Sequence, residues 1–425
     1  MEDNPRRKFI KSLTAGVAGL AVLPVFGSKL KTPLENINYE FSSAYGDTSE
    51  DFWTAIKKQH HFTPKVRYFN NASLGSSSIP VRKATRDFRD ILDDFPSKYM
   101  WGGWSKEKEQ TRKSIADFFS VDTEEIGLIH NTTEGMNLIA RSFDLQPGDE
   151  IIIADHDHAS ATIPWEIWQE TKGVKIIRPK LPITPKNKEE VITIYRNAIT
   201  PKTKIISMCH IINTTGMILP IKEVSKMAHQ KNILVAVDGA QAAGMFAIDL
   251  HDLDCDFYAA SAHKWLFSPK GVGVFYAKKN SQKHLKPLMV ARGYKDKSIR
   301  RLENYNTRNL PELLGLGASI QYLNAIGLQK INDRTFELKA YFRSKIENNP
   351  KFKIKTPAPN DLSGAIQVVE VVGKNVRNVK KQLFDQHGID CRPMSVFGLN
   401  ALRFSFAIYS TKKDIDYLVA VLESL

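Results

Sequence analysis

Between residues 126 and 276, short apolar runs alternate with stretches of helical spacing, and this alternation restricts the fold more than any other feature. Ile126-Gly127-Leu128-Ile129, Glu150–Ala154, Lys204–Met208 and Ile233–Val237 are each only four or five residues long. Runs of that length are too short for helices and too apolar for half-solvated strands, so they read as strands covered on both faces. Between the first two lies Thr133–Phe143, with Met136, Ile139, Ala140 and Phe143 at i, i+3, i+4 and i+7, which is a helix burying one face. Lys222–Gln230 reads as another helix. Strands joined through helices pair in parallel, so the expectation is an α/β core with a mostly parallel sheet.

Outside that region the pattern changes. Residues 80–95 and 105–119 have helical spacing with charged outer faces. Pro311–Asn349 reads as a long helical stretch, followed by a strand at Ala365–Val372 and helices at Asn375–His387 and Lys412–Ser424. The expected organisation is a large α/β domain over residues 62–310 and a smaller C-terminal α+β domain over 311–425. A polar linker or N-terminal arm is expected over 29–61, behind a leader over 1–28.

The leader stands apart. Arg6-Arg7-Lys8-Phe9-Ile10-Lys11 opens it, and the 17 residues from Ser12 to Ser28 carry no charge. That run is short for a membrane span, which takes about 20 residues. It resembles a twin-arginine export signal, so the expected location is periplasmic or exported, with the export machinery as a partner. If the leader stays uncleaved the chain is membrane-anchored, and no A-x-A cleavage site closes the run. The whole chain is 42% hydrophobic and 25% charged, as in soluble globular enzymes. The net charge of +14 is carried by scattered lysines, with no zinc-finger spacing and no aromatic-basic pattern, so no specific nucleic-acid partner is expected. Three cysteines make no disulfide framework, and Cys209 and Cys255 read as packing residues.

The chemistry gathers around Lys264. Ile233–Val237 delivers Asp238-Gly239-Ala240-Gln241 at its end, and about 25 residues later comes Ser261-Ala262-His263-Lys264-Trp265. A lysine taken alone is ordinarily a solvated surface residue. A strand-end aspartate followed by a lysine in this setting is what pyridoxal phosphate chemistry requires. The amine forms a Schiff base with the cofactor aldehyde, and the aspartate keeps the pyridinium nitrogen protonated. His130-Asn131-Thr132-Thr133-Glu134-Gly135-Met136 sits between a strand and a helix. The helix N-terminus with the Thr132 and Thr133 hydroxyls is a phosphate cradle, to which Ser261 and His263 can add donors. Asp155-His156-Asp157-His158 follows the strand at 150–154. No third ligand with suitable spacing accompanies these histidines, so no metal site is expected, and one of them is read as stacking on the pyridine ring. Asn213 can bond the cofactor's phenolic oxygen or the substrate.

From about Tyr68 to the C-terminus the chain resembles enzymes of the class V aminotransferase family, which have the type I pyridoxal phosphate-dependent transferase fold. The motifs that carry the likeness are Thr-Thr-Glu-Gly-Met-Asn (132–137), Val-Asp-Gly-Ala-Gln-Ala (237–242), Asp-Leu-Asp-Cys-Asp-Phe-Tyr (252–258) and Ser-Ala-His-Lys (261–264). The resemblance implies Lys264 as the Schiff-base lysine, Asp238 as the pyridinium partner and Gln241 at the phenolic oxygen. It implies His156 stacked on the ring, with His158 as second choice, and Thr133, Ser261 and His263 at the phosphate. Asn306-Thr307-Arg308-Asn309 resembles the family's Gly-Thr-Arg-Asp segment. In a homodimer that segment reaches the neighbour's phosphate, which implies Thr307 as a cofactor residue and Arg308 beside the substrate. Arg403 matches the family's carboxylate-binding arginine, and Arg392 is the alternative.

Within the family the chain is similar to both cysteine desulfurases and isopenicillin N epimerase-like proteins. Desulfurases carry a loop cysteine after an Arg-x-Gly-x-His motif, whereas here Cys391 precedes Arg392 and the Gly and His are missing. The expected function is therefore an aminotransferase or epimerase acting on the amino group or Cα of an amino acid or amine. A lyase or desulfurase-like enzyme is the first alternative, and a catalytically silent exported binding protein the second. Lys264, once freed by substrate, removes the α-proton. Its return to the opposite face gives epimerisation, its return to the cofactor carbon gives transamination, and loss of a β or γ group gives elimination. One lysine serves all three, and the sequence leaves them open. Trp101, Trp104 and Trp165 are candidate liners of the substrate side.

Overall fold

The computed structural model describes residues 32–34 and 49–425. The leader at 1–28 and most of the polar stretch behind it lie outside the described residues. Residues 1–36 and 37–425 form separate units, and of the first only Thr32–Leu34 are described, with a turn at Pro33–Leu34. The second unit carries everything below.

Its centre is a seven-stranded sheet in the order Ile126–Ile129, Gly273–Ala277, Phe257–Ser261, Leu234–Asp238, Thr203–Cys209, Glu150–Ile152, Lys175–Ile177. Gly273–Ala277 runs antiparallel to both its neighbours, and every other pairing is parallel. The mostly parallel α/β core expected from the alternation is what forms. Helices Thr132–Ser142, Ala159–Lys172, Lys188–Ala198 and Ile221–His229 stand between the strands in sequence, and the last three lie on the connections between parallel neighbours. Met136 and Ile139 of the first of these pack with Ile151, Ala236, Phe257 and Trp165 in one apolar cluster. Three adjacent strands end at the same edge, with Cys209 beside Asp238 and Asp238 beside Ala259 in register. The C-terminal edge of such a sheet is where α/β enzymes place ligands, because side chains there leave the hydrogen-bonded ladder and converge.

A second sheet is antiparallel, in the order Arg392–Met394, Ala401–Ser405, Ile366–Val371, Phe352–Ile354. Its first two strands pair Arg392 directly with Arg403. A short parallel pair, Arg67–Tyr68 with Ile389–Asp390, and a bridge from Asn70 to Ser405 tie the start of the large sheet's chain segment to this one. The long helical stretch over Pro311–Asn349 forms as two helices, Leu310–Ile326 and Leu328–Ile346, because Gly327 takes φ +98°, a conformation that breaks the helical path. The polar stretch before residue 61 contains a packed helix, Glu50–Lys58, whose Phe52, Trp53 and Ile56 are buried. The Arg334 guanidinium lies 5.2 Å over the Trp53 ring, and Lys57 pairs with Asp414 at 2.6 Å.

Candidate active site

A cavity of about 230 Å³ opens at the C-terminal edge of the central sheet. Thr132, Thr133, His158, Asn213, Asp238, Gln241, Ser261, His263 and Lys264 all line it. Asp238 is the last residue of its strand, and its buried carboxylate accepts from the Ala240 amide at 2.9 Å. Lys264 follows the Phe257–Ser261 strand by three residues. Burial lowers its pKa to about 8; Asp238 pulls the other way, while Arg403 and Arg392 push it further down. An amine so placed keeps a neutral fraction of about a tenth at pH 7, far more than an ordinary lysine at about 10.4 offers as a nucleophile or proton carrier.

The anion side is built from the helix that starts at Thr132. Thr132 and Ser261 bond reciprocally: the Thr132 amide donates to Ser261 Oγ at 2.9 Å, and the Ser261 amide donates to Thr132 Oγ1 at 2.8 Å. The Glu134 amide donates to Asn131 Oδ1 and the Gly135 amide to the Asn131 carbonyl. That leaves the Thr133 amide as the first-turn donor with no acceptor among the described residues, at the positive end of the helix and on the cavity wall. Neutral His263 stands beside it, its pKa lowered to about 4 by burial and by the neighbouring Lys264 and Lys270. Gln241 is fixed from both ends: Nε2 donates to the Ala72 carbonyl at 2.8 Å and Oε1 accepts from Trp265 Nε1 at 3.0 Å, which leaves one amide N–H for the cavity. Gly75 brings the chain against this strand end, its amide on the His263 carbonyl at 2.8 Å, and a Cβ there would meet the Lys264 carbonyl at 2.1 Å.

The histidine choice is corrected. His158 lines the cavity, and His156 does not. His158 caps the helix Ala159–Lys172, with Nδ1 accepting from the Ser160 amide at 3.2 Å, so its ring is held at the cavity wall. Burial lowers its pKa, and the Asp238 carboxylate is among the charges it feels. His156 instead hydrogen-bonds Thr214 Oγ1 at 3.2 Å and packs its ring 4.6 Å from that of Phe397. Thr307 and Arg308 are not brought to the cavity of their own chain. Arg308 donates to the Leu128 carbonyl at 3.1 Å, which fixes the segment at the Ile126–Ile129 edge of the sheet, and Thr307 is exposed. Arg308, Tyr305 and Arg300 line a separate cavity of about 300 Å³. Of the tryptophans, Trp165 is in the apolar core, Trp104 packs on Phe88, and Trp101 is exposed; none lines the Lys264 cavity.

Arg403 lies just behind the site. It is 2% exposed, donates from Nη1 to the Asn213 carbonyl at 3.0 Å and from Nη2 to Ser73 Oγ at 2.7 Å, and its Nε has no partner. Among the described residues no carboxylate pairs with it, and burial, with Arg392 adding to it, lowers its pKa to about 9. Arg392 stands opposite it across the two strands and is exposed.

The comparisons with known proteins agree with this geometry. The family model described as aminotransferase class-V matches residues 102–418. The chain belongs to the class V aminotransferase family. It is 31% identical over 393 residues to a probable cysteine desulfurase of Halalkalibacterium halodurans, covering 84% of this chain and 92% of that one. It is 27% identical over 399 residues to the isopenicillin N epimerase of Amycolatopsis lactamdurans, covering 88% and 98%. Its backbone superposes on a crystal structure of an Escherichia coli cysteine desulfurase with a TM-score of 0.76 at 24% identity, over 88% of this chain and 98% of the other. A second similar fold, with a TM-score of 0.77 at 21% identity over 86% and 98%, is a C-DES variant with glycine covalently linked to its pyridoxal phosphate cofactor.

As a member of the class V aminotransferase family the chain is a pyridoxal phosphate-dependent enzyme, and its own residues fit that group. A spare helix-end amide among hydroxyls suits a phosphate, a buried aspartate suits a ring nitrogen, and a desolvated amine suits an aldehyde. Two neighbours of the site escaped the sequence reading. Cys209 lines the cavity, and Asp157 lies behind it, accepting from the Cys209 amide at 2.9 Å. Burial raises the Asp157 carboxyl to about 7, and Asp238 adds to the shift. The only sequence signal for Asp157 was its place between two histidines.

Proposed function

We propose that the chain binds an α-amino acid by its carboxylate at Arg403 and Arg392 and moves the proton at its Cα with Lys264, giving epimerisation or transamination. Arg403 carries this reading. A buried guanidinium without a carboxylate partner is costly, and a second arginine directly across the strand pair adds like-charge repulsion. A bound carboxylate offsets both, and the fork of Arg403 suits its two oxygens.

Pyridoxal phosphate, when bound, supplies an amine-reactive aldehyde and an electron-withdrawing pyridine ring. The residues that would hold it are Asp238 at the ring nitrogen, His158 at the ring face, Gln241 and Asn213 at the ring's polar edge, and Thr132, Thr133, Ser261 and His263 at the phosphate. Lys264 has a pKa of about 8, so it both takes and returns a proton at neutral pH. Asp238 shares the cavity with that amine, its carboxylate held by the Ala240 amide. Incubation of the holoenzyme with L- and D-amino acids in heavy water tests this reading. Deuterium is expected at Cα of at least one of them, and the absence of label in all contradicts it.

A desulfurase uses an accessible thiolate. Cys391 is 1% exposed, and burial pushes its thiol up to about 12. The segment from Ser395 to Asn400 contains no cysteine. These observations favour chemistry at Cα over sulfur transfer. Two further parts of the reading rest on the resemblance. Two copies pair, so that Thr307 and Arg308 complete a neighbour's site, and light scattering at 48.0 kDa alone would exclude it. The Arg6-Arg7 leader supports export to the periplasm, and a reporter fused to residues 1–28 that stays in the cytosol would exclude that.

A further inference from the structure

We propose that the tip of the Ser395–Leu399 loop, Val396 with Phe397, together with Leu74, forms an apolar wall that selects an amino acid with an apolar side chain. The inference rests on the proposed binding of an α-carboxylate at Arg403 and names the substrate class for that same site.

The loop joins the two strands that carry the arginines: it leaves Arg392–Met394 and returns as Ala401–Ser405. A substrate whose carboxylate sits at Arg403 therefore has this loop beside it. Between Pro393 and Leu399 the side chains are Pro, Met, Ser, Val, Phe, Gly and Leu, with no charge and no nucleophilic thiol. Val396 is 46% exposed and Phe397 50% exposed, against the general cost of leaving large apolar side chains in water. Phe397 also takes φ +52°, a left-handed conformation that a bulky residue adopts only when its surroundings impose it. The strained backbone turns its ring onto His156, 4.6 Å away, two residues from the His158 that lines the cavity. Leu74, 42% exposed, arrives from the opposite end of the chain. Its neighbour Ser73 accepts from Arg403 and its neighbour Gly75 donates to the His263 carbonyl. Leu74 is thus placed by neighbours bonded to the carboxylate anchor and to the chain at Lys264, and Phe397 by its packing on His156. The competing charge is Arg392, which is exposed and would take the second carboxylate of an acidic amino acid. It already faces Arg403, and one α-carboxylate satisfies both.

Two measurements test this on the holoenzyme. The first is Cα deuterium exchange with leucine, phenylalanine and methionine against glutamate, aspartate and lysine, in both hands. The second, which needs no turnover, is calorimetric binding of amine-free carboxylates, 4-methylvalerate and hydrocinnamate against glutarate. Apolar members are expected to win by about tenfold or more in both, the usual discrimination of an apolar pocket. Phe397→Ala is expected to reduce the phenylalanine-to-alanine exchange ratio by about tenfold, and Phe397→Leu to restore most of it. Equal or better exchange and binding with the acidic members overturns the inference and leaves the proposed function standing. A ratio unmoved by Phe397→Ala assigns the residue a structural role and also overturns it. No exchange with any amino acid overturns the proposed function and the inference with it.

Discussion

Replacement of Lys264 by alanine is expected to lower Cα-proton exchange by about three orders of magnitude, because both the nucleophile and the proton carrier are removed. The fold is expected to survive, since Lys264 lies at a strand end on a cavity wall and not in an apolar cluster. Lys264→Arg distinguishes chemistry from charge. It keeps a cation opposite Asp238 and restores no activity, because a guanidinium neither attacks an aldehyde nor gives up its proton. The pH dependence follows from the same burial. Only the neutral amine reacts, and its pKa is lowered to about 8, so cofactor uptake by the apoprotein should accelerate about tenfold per pH unit below that value and level off above it. An ordinary lysine, at about 10.4, would continue to accelerate through pH 9 and 10.

Arg403→Lys is the second large effect. The guanidinium donates to the Asn213 carbonyl and to Ser73 Oγ with separate nitrogens and still has Nε spare. An ammonium at the end of a lysine is a single point and serves at most part of that set. Loss of one charge-assisted bond to a substrate carboxylate is worth about 3 kcal/mol, or roughly two orders of magnitude in kcat/KM. The loss is expected mainly in KM, because the carboxylate is bound alike before and during the proton transfer. A fall confined to the melting temperature, with KM unchanged, would assign Arg403 a purely structural role.

What the sequence disclosed depended on how local each signal was. The central strands are short, contiguous and apolar, so Leu234–Asp238 and the carboxylate at its end were legible together. Lys264 was legible because its position relative to that strand is fixed within one crossover. The helix Ala159–Lys172 was not, since Pro164 lies inside it and its buried residues, Ala161, Thr162, Pro164 and Trp165, make a poor apolar stripe. The neighbouring strand Lys175–Ile177 has only three residues at the edge of the sheet. The choice between His156 and His158 turned on which ring caps that unseen helix. Arg403 was found as a residue, but its setting depends on Ser73, 330 positions earlier, and no periodicity reports a contact of that range. Thr307 and Arg308 sit on the far edge of the sheet in a single chain, away from this cavity, so nothing local to the Lys264 site reports the role that the resemblance implies for them.

The central claim is that one amine, that of Lys264, holds the cofactor. Borohydride treatment of the holoenzyme followed by peptide mapping tests it most directly. A single cofactor label is expected on the peptide containing Ser261-Ala262-His263-Lys264-Trp265, and none in Lys264→Ala. Label on another lysine, or spread over several surface lysines with Lys264 unmodified, would contradict it.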